Sequence, residues 1–289
     1  MGRELAFIEA LRALASDPAA RGLADDCAVL PFGSETLVLT HDTMVAGVHF
    51  LPDQDPADVA WKLVATNMSD LAAKGAVPMG VLLSYQLNGA EPRFLVGLAE
   101  ALDEYGARLL GGDTVSSDGP QVLGLTAIGR ASFLPVPGRN GAQVGDLVYI
   151  TGPVGGAMVG LEALRLGLPE SQSLAYRRPQ AHLGEGQALA PFVTAMMDVS
   201  DGLLLDASRM ARASKVTISL ESAAIPLACS EDRRDEALRW GDDYQLLLTA
   251  PPELTLPLPM HQIGVVVKGQ EAPVLIDGAP PLGSLGYQH

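Results

Sequence analysis

Short apolar runs bounded by glycine and proline alternate along the chain with longer segments whose apolar residues recur every third or fourth position. That pattern predicts strands and helices in alternation. In the first half, Cys27–Phe32 and Thr36–Thr40 are expected as strands joined by a turn at Gly33. A helix is expected from Ala57 to Lys74, entered through Asp55-Pro56 and stopped by Gly75 and Pro78. Val81–Leu87 and Gln121–Gly129 predict further strands and Pro92–Tyr105 a helix, while Gly111-Gly112-Asp113-Thr114 reads as a glycine-rich bend. At the start, Arg3, Glu4, Glu9 and Arg12 break up the apolar residues of Met1–Ala15, predicting an amphipathic helix rather than a signal peptide.

The stretch Ser132–Asn140, with Pro135 and Pro137, reads as a connector. Beyond it, strands are expected at Asp146–Thr151, up to Asp198, and at Val216–Leu220, Tyr244–Thr249 and Ile263–Val267. Helices are expected at Gly155–Leu166 and Gly202–Ala213. The fold class is therefore α/β (α+β), with two domains expected, 1–134 and 135–289.

Composition narrows the function. The chain has 289 residues and is 48% hydrophobic, enough for real cores, yet it lacks the run of about eighteen apolar residues that a membrane span needs. Its formal charge of −15 would repel nucleic acid and anionic lipid alike. The two cysteines, Cys27 and Cys229, fall in no metal or redox pattern, and reduced thiols in a cytoplasmic protein are expected.

The placement of the acids matters more than their number. Asp25-Asp26 stands before the first strand, and Asp42 follows Thr40-His41 ahead of the segment carrying His49. On the first long helix, Trp61, Val64, Met68 and Leu71 form the stripe expected to be buried, with Asn67, Asp70 and Lys74 beside it. Asp113 follows two glycines, which let backbone approach a phosphate; Asp198-Val199-Ser200-Asp201-Gly202 joins a strand to a helix; and Asp242-Asp243 precedes another strand. Each has an ordinary explanation as a solvated turn, a polar helix face or a helix cap. Their repetition beside small residues favours oxygen ligation of a hard cation. No P-loop, GxGxxG, kinase HRD or DFG, GxSxG elbow or zinc spacing occurs, so Mg²⁺ is the expected ion.

Taken in order, these segments resemble the thiamine-monophosphate kinase family of the aminoimidazole-ribonucleotide-synthetase-like superfamily. The resemblance rests on Asp25–Val29, Thr40–Thr43 through Gly47-Val48-His49-Phe50, Asn67–Ala73, Gly111–Thr114, Val144-Gly145-Asp146 through Thr151-Gly152, Met197–Gly202, Gly241–Tyr244 and a final Gly286-Tyr287. It implies a two-domain fold that dimerises through its N-terminal sheet, and Mg²⁺-assisted transfer of phosphoryl from ATP to thiamine monophosphate. By position, Asp26, Thr40, Asp42, Asp70, Asp113, Asp198 and Asp201 correspond to magnesium-site residues. Gly112, Asp113, Arg139 and Ser200 correspond to ATP contacts, and His49, Asp243 and Tyr287 to contacts with the thiamine phosphate. Trp240–Gln245 departs from the family's Gly-Gly-Glu-Asp-Tyr-Glu. Two other readings stay open: another ATP-dependent enzyme of the superfamily, or a non-catalytic nucleotide- or thiamine-binding module.

Overall fold

The computed structural model of the protein describes residues 3–288. Helix α1 (Arg3–Arg12) is followed by a short 3₁₀ turn at Pro18–Leu23, which Asp17 caps by accepting the Ala19 N–H at 2.8 Å. Met1 and Gly2 of the expected N-terminal helix lie outside the described residues.

The first half forms a five-stranded sheet. In chain order its elements are β1 (Ala28–Phe32), β2 (Glu35–Val45), α2 (Pro56–Ala73), β3 (Ala76–Gln86), α3 (Glu91–Glu104), β4 (Leu109–Val115) and β5 (Val122–Ala131). The strands lie in the order β1-β2-β5-β3-β4, antiparallel except for the β3–β4 pair. Two expectations change here. Strand β2 continues past Thr40 to Val45, so Asp42 lies within it. The expected bend at Gly111–Thr114 is the middle of β4, where Gly112 pairs with Leu83 so closely that an added Cβ would lie 1.9 Å from the Leu83 carbonyl oxygen. Glycine is required there by the approach of two strands, not by a turn.

The second half holds β6 (Leu147–Ile150), α4 (Gly156–Arg165), α5 (Glu170–Arg177), α6 (Leu183–Leu189), β7 (Ala195–Asp198) and α7 (Leu203–Ser214). It continues with β8 (Val216–Leu220), α8 (Arg234–Ala237), β9 (Leu246–Ala250), β10 (His261–Lys268) and β11 (Val274–Ile276). Its six-stranded sheet has the order β11-β8-β10-β6-β9-β7. Helices α5, α6 and α8 and strand β11 add to the elements the apolar pattern indicates.

Helix α2 is the keystone of the site. Asp55 accepts the Ala57 N–H at 3.0 Å, Pro56 fills the first turn, and Gly75 at φ +57° ends the helix. Trp61, Val64, Met68 and Leu71 pack on the first sheet as the stripe predicts. The opposite face is not a polar surface. Ala72 and Ala73 pack against Leu189, Met196, Leu246 and Leu248 of the second half, and Asn67 and Lys74 are fully buried. Each large side chain so buried contributes roughly 1.5–3 kcal/mol. The helix is thus held from both sides, and any polar group on it is fixed relative to both halves of the chain.

Candidate active site

A cavity of about 620 Å³ opens where the end of β2, one face of α2, helix α5, the β7–α7 turn and the Trp240–Tyr244 loop meet. Lys62, Thr66 and Asp70, four residues apart on α2, all line it. At ~1.5 Å rise per residue the helix sets Lys62 and Asp70 ~12 Å apart along the cavity floor.

The Asp70 end is acidic. One carboxylate oxygen from each of Asp26 (before β1), Asp70 (α2) and Asp198 (the end of β7) lies within 4.8 Å of the other two. Thr40 donates its hydroxyl to Asp70, and Ser69 donates to Asp198 at 2.7 Å. Asp42, in the neighbouring strand, donates its N–H to the Asn67 side-chain oxygen at 3.3 Å. Burial pushes the Asp70 carboxyl well above its ordinary range, helped by the charges of Asp42 and Asp198. Burial likewise raises Asp42, and pushes Asp198 to about 7, with Asp206 and Asp42 adding repulsion.

Part of this charge is answered from within the chain. The buried Lys74 ammonium sits 2.6 Å from both Asp25 and Asp26 and donates to the Met196 carbonyl at 3.2 Å. Arg139 donates to the other oxygen of Asp26, and Arg21 to Asp25 at 2.5 Å. The Asp25 and Asp26 side chains are thus buried in an ion-pair network and do not form a solvated turn. Asp26 Oδ2, close to Lys74, still accepts no aligned hydrogen bond. A buried carboxylate oxygen without a directed donor, two further carboxylates in reach and an all-oxygen donor set fit a hard divalent cation such as Mg²⁺.

The β7–α7 turn is tied by a residue the sequence did not single out. Asp206 accepts the N–H groups of Ser200 and Asp201 at 3.1 and 2.9 Å, so neither Ser200 nor Asp201 caps α7. Gly202, at φ +114°, passes so close to the Arg239 carbonyl that an added Cβ would lie 2.6 Å from its oxygen. Arg209 bridges Asp201 and Asp206 at 2.5 and 2.8 Å. Asp201 and Ser200 thereby face the cavity beside Asp198.

The Lys62 end is mixed. His49 and Tyr287 both line the cavity, and the Tyr287 N–H donates to the Asp201 carbonyl at 2.9 Å. His49 Nδ1 accepts the Val45 N–H at 3.0 Å, which places the proton of the neutral ring on Nε2. Of the adjacent acids before β9, Asp242 lines the cavity and Asp243 does not. Asp243 accepts the N–H groups of Gly155 and Ala157 at 2.6 and 3.1 Å and so holds the start of α4. Asp242, at φ +66°, pairs with Lys62 at 2.6 Å and accepts the Tyr244 hydroxyl at 2.8 Å.

Burial raises Asp243 from 3.8 to about 7, outweighing its backbone donors. A carboxyl raised on folding binds a proton that the unfolded chain has released. Its contribution to stability is therefore full below about pH 4 and lost as pH rises through about 7. Urea midpoints for Asp243→Asn should fall less steeply than wild type between pH 4 and 8. Parallel curves would show that Asp243 does not titrate there.

Asp113 and Gly112 stand apart. The register runs Thr43↔Gly124, Gly124↔Ser84, Ser84↔Asp113, placing Asp113 three strands from β2, on the order of 14 Å away. Strand alternation also puts Asp113 on the face opposite Asp42, and all of β4 is exposed. Within one chain the structure thus gathers Asp26, Thr40, Asp42, Asp70, Asp198 and Asp201 but not Asp113. Lys62, Lys74, Asp206 and Asp242 are the site residues that sequence reasoning left without a role. Lys62 carried a usable signal in its spacing to Thr66 and Asp70, and Asp242 one in the acidic pair before β9. Arg178–His182 does not line the cavity: Arg178 pairs with the buried Asp58 at 2.6 Å, and the Pro179 carbonyl accepts the Trp61 N–H.

Comparison with known proteins agrees with this architecture. The chain matches the AIR synthase related protein family, its N-terminal domain over residues 24–131 and its C-terminal domain over 143–275. It is 35% identical to thiamine-monophosphate kinase of Escherichia coli, across 93% of this chain and 91% of that protein. A solved structure described as AaThiL complexed with AMPPCP and TMP superposes with a TM-score of 0.89 at 30% identity, covering 99% of this chain and 96% of that one. The thiamine-monophosphate kinase structure from Stenotrophomonas maltophilia gives 0.79 at 34% identity, covering 95% of each chain. The chain belongs to the thiamine-monophosphate kinase family, a group of phosphotransferases built on the AIR synthase related fold.

Proposed function

We propose that the protein transfers the γ-phosphoryl group of ATP to thiamine monophosphate, giving ADP and thiamine diphosphate, with Mg²⁺ in the acidic cluster. The observation that carries this reading is the convergence of Asp26, Asp70 and Asp198 oxygens within 4.8 Å beside a cavity large enough for a phosphorylated heterocycle. The relative solved with AMPPCP, an ATP analogue, and TMP supports the same pair of substrates.

Asp26, Thr40, Asp42, Asp70, Asp198 and Asp201 hold the magnesium ions in this proposal. Bound there, Mg²⁺ offsets the repulsion between donor and acceptor phosphates and polarises the transferring group. Ser200 and Arg139 contact ATP, with Arg139 kept beside the metal ligands by its pairing with Asp26. The acceptor phosphate is already ionised near neutral pH, so the chain needs no general base. Its residues act by position and charge, and transfer is direct and in line.

His49, Tyr287 and Asp242 contact the thiamine moiety, Asp242 standing where Asp243 was expected because its side chain is the one in the cavity. An aromatic face suits the cationic thiazolium. Tyr287→Ala should raise KM for thiamine monophosphate about tenfold at similar kcat; an unchanged KM would remove Tyr287 from the pocket.

Asp113 and Gly112 complete the ATP site from a second copy of the chain. The exposed β4, with Leu109, Leu110 and Val115 about half exposed, offers the apolar face for a homodimer. The division into domains at 134 and 135 and a cytoplasmic location belong to the same proposal. It is consistent with free cysteines, and among the described residues no helix is long and apolar enough to cross a membrane. ADP release with MgATP and thiamine monophosphate should stop when EDTA is added and resume with excess Mg²⁺. Release that survives EDTA would refute the metal requirement.

A further inference from the structure

We infer that Lys62 is a positioning residue for the acceptor, fixing the end of the cavity remote from the acidic cluster. Its side chain is 1% exposed, and its ammonium engages three groups that line the cavity and come from three separate segments. It lies 2.6 Å from Asp242 Oδ2, donates to the His49 carbonyl at 3.1 Å, and sits 4.0 Å above the Tyr176 ring of α5. The Tyr176 hydroxyl donates to the same His49 carbonyl at 3.3 Å, closing the set.

Stability alone does not explain this arrangement. Lys62 is buried while its partner Asp242 stays 31% exposed, and taking an ammonium out of water is costly enough that a well-packed apolar side chain often serves as well or better. The partners also include strained backbone: Asp242 and Tyr244 are non-glycine residues at φ +66° and +51°. Such conformations persist only where surrounding contacts over-determine them, and here Lys62, the Tyr244 hydroxyl and the Ser200 carbonyl hold Asp242.

Position on the helix turns the cluster into a gauge. Lys62 shares its face of α2 with Asp70, ~12 Å away, and α2 is packed on both sides. The ligand class that fits is a phosphate monoester whose second, polar ring reaches about two helical turns from its phosphate. A shorter ester would reach the acidic cluster but not the wall that Lys62 fixes. This inference rests on the reading of the cavity as the acceptor pocket.

The test compares thiamine monophosphate with the phosphate ester of its hydroxyethylthiazole half, which lacks the pyrimidine. In Lys62→Met, KM for thiamine monophosphate should rise about 30-fold or more, with kcat within about threefold and KM for ATP unchanged. The kcat/KM for the thiazole phosphate should not change, so the gap between the two acceptors closes. Because Lys62→Met leaves the Asp242 charge without its partner, and Asp242 itself contacts the thiamine moiety, Lys62→Met/Asp242→Asn is compared with Asp242→Asn alone; the double variant should melt near wild type and raise KM for thiamine monophosphate further than Asp242→Asn does. A thermally sound variant with unaltered KM for thiamine monophosphate, or equal losses on both acceptors, would overturn the role of Lys62. Wild type that turns over neither acceptor would instead overturn the reading of the pocket, and this inference with it.

Discussion

Asp70→Asn is expected to lower kcat by about 10²–10³-fold while leaving the metal-free protein as stable as wild type or slightly more so. The two halves of this expectation share one cause. Asp70 is buried with Asp42 and Asp198 around it, and its ionised form is disfavoured in the fold. A neutral amide relieves that repulsion and can still accept the Thr40 hydroxyl. The same amide is a poor ligand for a hard cation, so the gain in stability is bought with the loss of the site's function. A melting curve without metal, alongside a turnover assay with Mg²⁺, reads both effects. A variant that loses activity only because it unfolds would sink this account, as would one that keeps full turnover.

Lys74→Met should have the largest effect on folding, a loss of about 3–5 kcal/mol. The ammonium is fully buried between Asp25 and Asp26, and Asp26 Oδ2 has no aligned donor of its own. Removing it leaves Arg21 and Arg139 to answer two buried carboxylates, and cuts a contact from α2 to Met196 in the second half. Adding Asp25→Asn to Lys74→Met should restore much of the loss, because one of the stranded charges then disappears. Urea denaturation of the wild type and both variants measures this. Destabilisation below about 1 kcal/mol, the value of an exposed pair, would mean that water reaches the network.

Much of the site was legible because its parts announce themselves locally. Asp55-Pro56 and Gly75 mark the ends of α2, and apolar runs mark β1 and β2, so the acids at those ends could be placed on neighbouring elements. What escaped was set by contacts distant in sequence. Gly111-Gly112 reads as a bend because glycine is common in turns, yet Gly112 is in β4 because Leu83 leaves no room for a side chain. Asp242 and Asp243 are equivalent on paper; a positive φ at Asp242 sends one into the cavity and the other to the start of α4. The burial of Lys74 and Lys62 depends on the second half closing over α2, and no periodicity within the helix reports that. Asp113 was legible as a motif residue, but its distance from the other acids appears only in the strand order.

The most direct test of the central claim is the mass of the product. Purified protein is incubated with MgATP and, in parallel, with thiamine monophosphate, with thiamine or with no acceptor, each with and without EDTA. The account predicts thiamine diphosphate from the monophosphate alone, none in EDTA, and a loss of about 10²–10³-fold with Asp70→Asn. Folded, magnesium-loaded protein that forms no thiamine diphosphate, or that phosphorylates thiamine equally well, would contradict it.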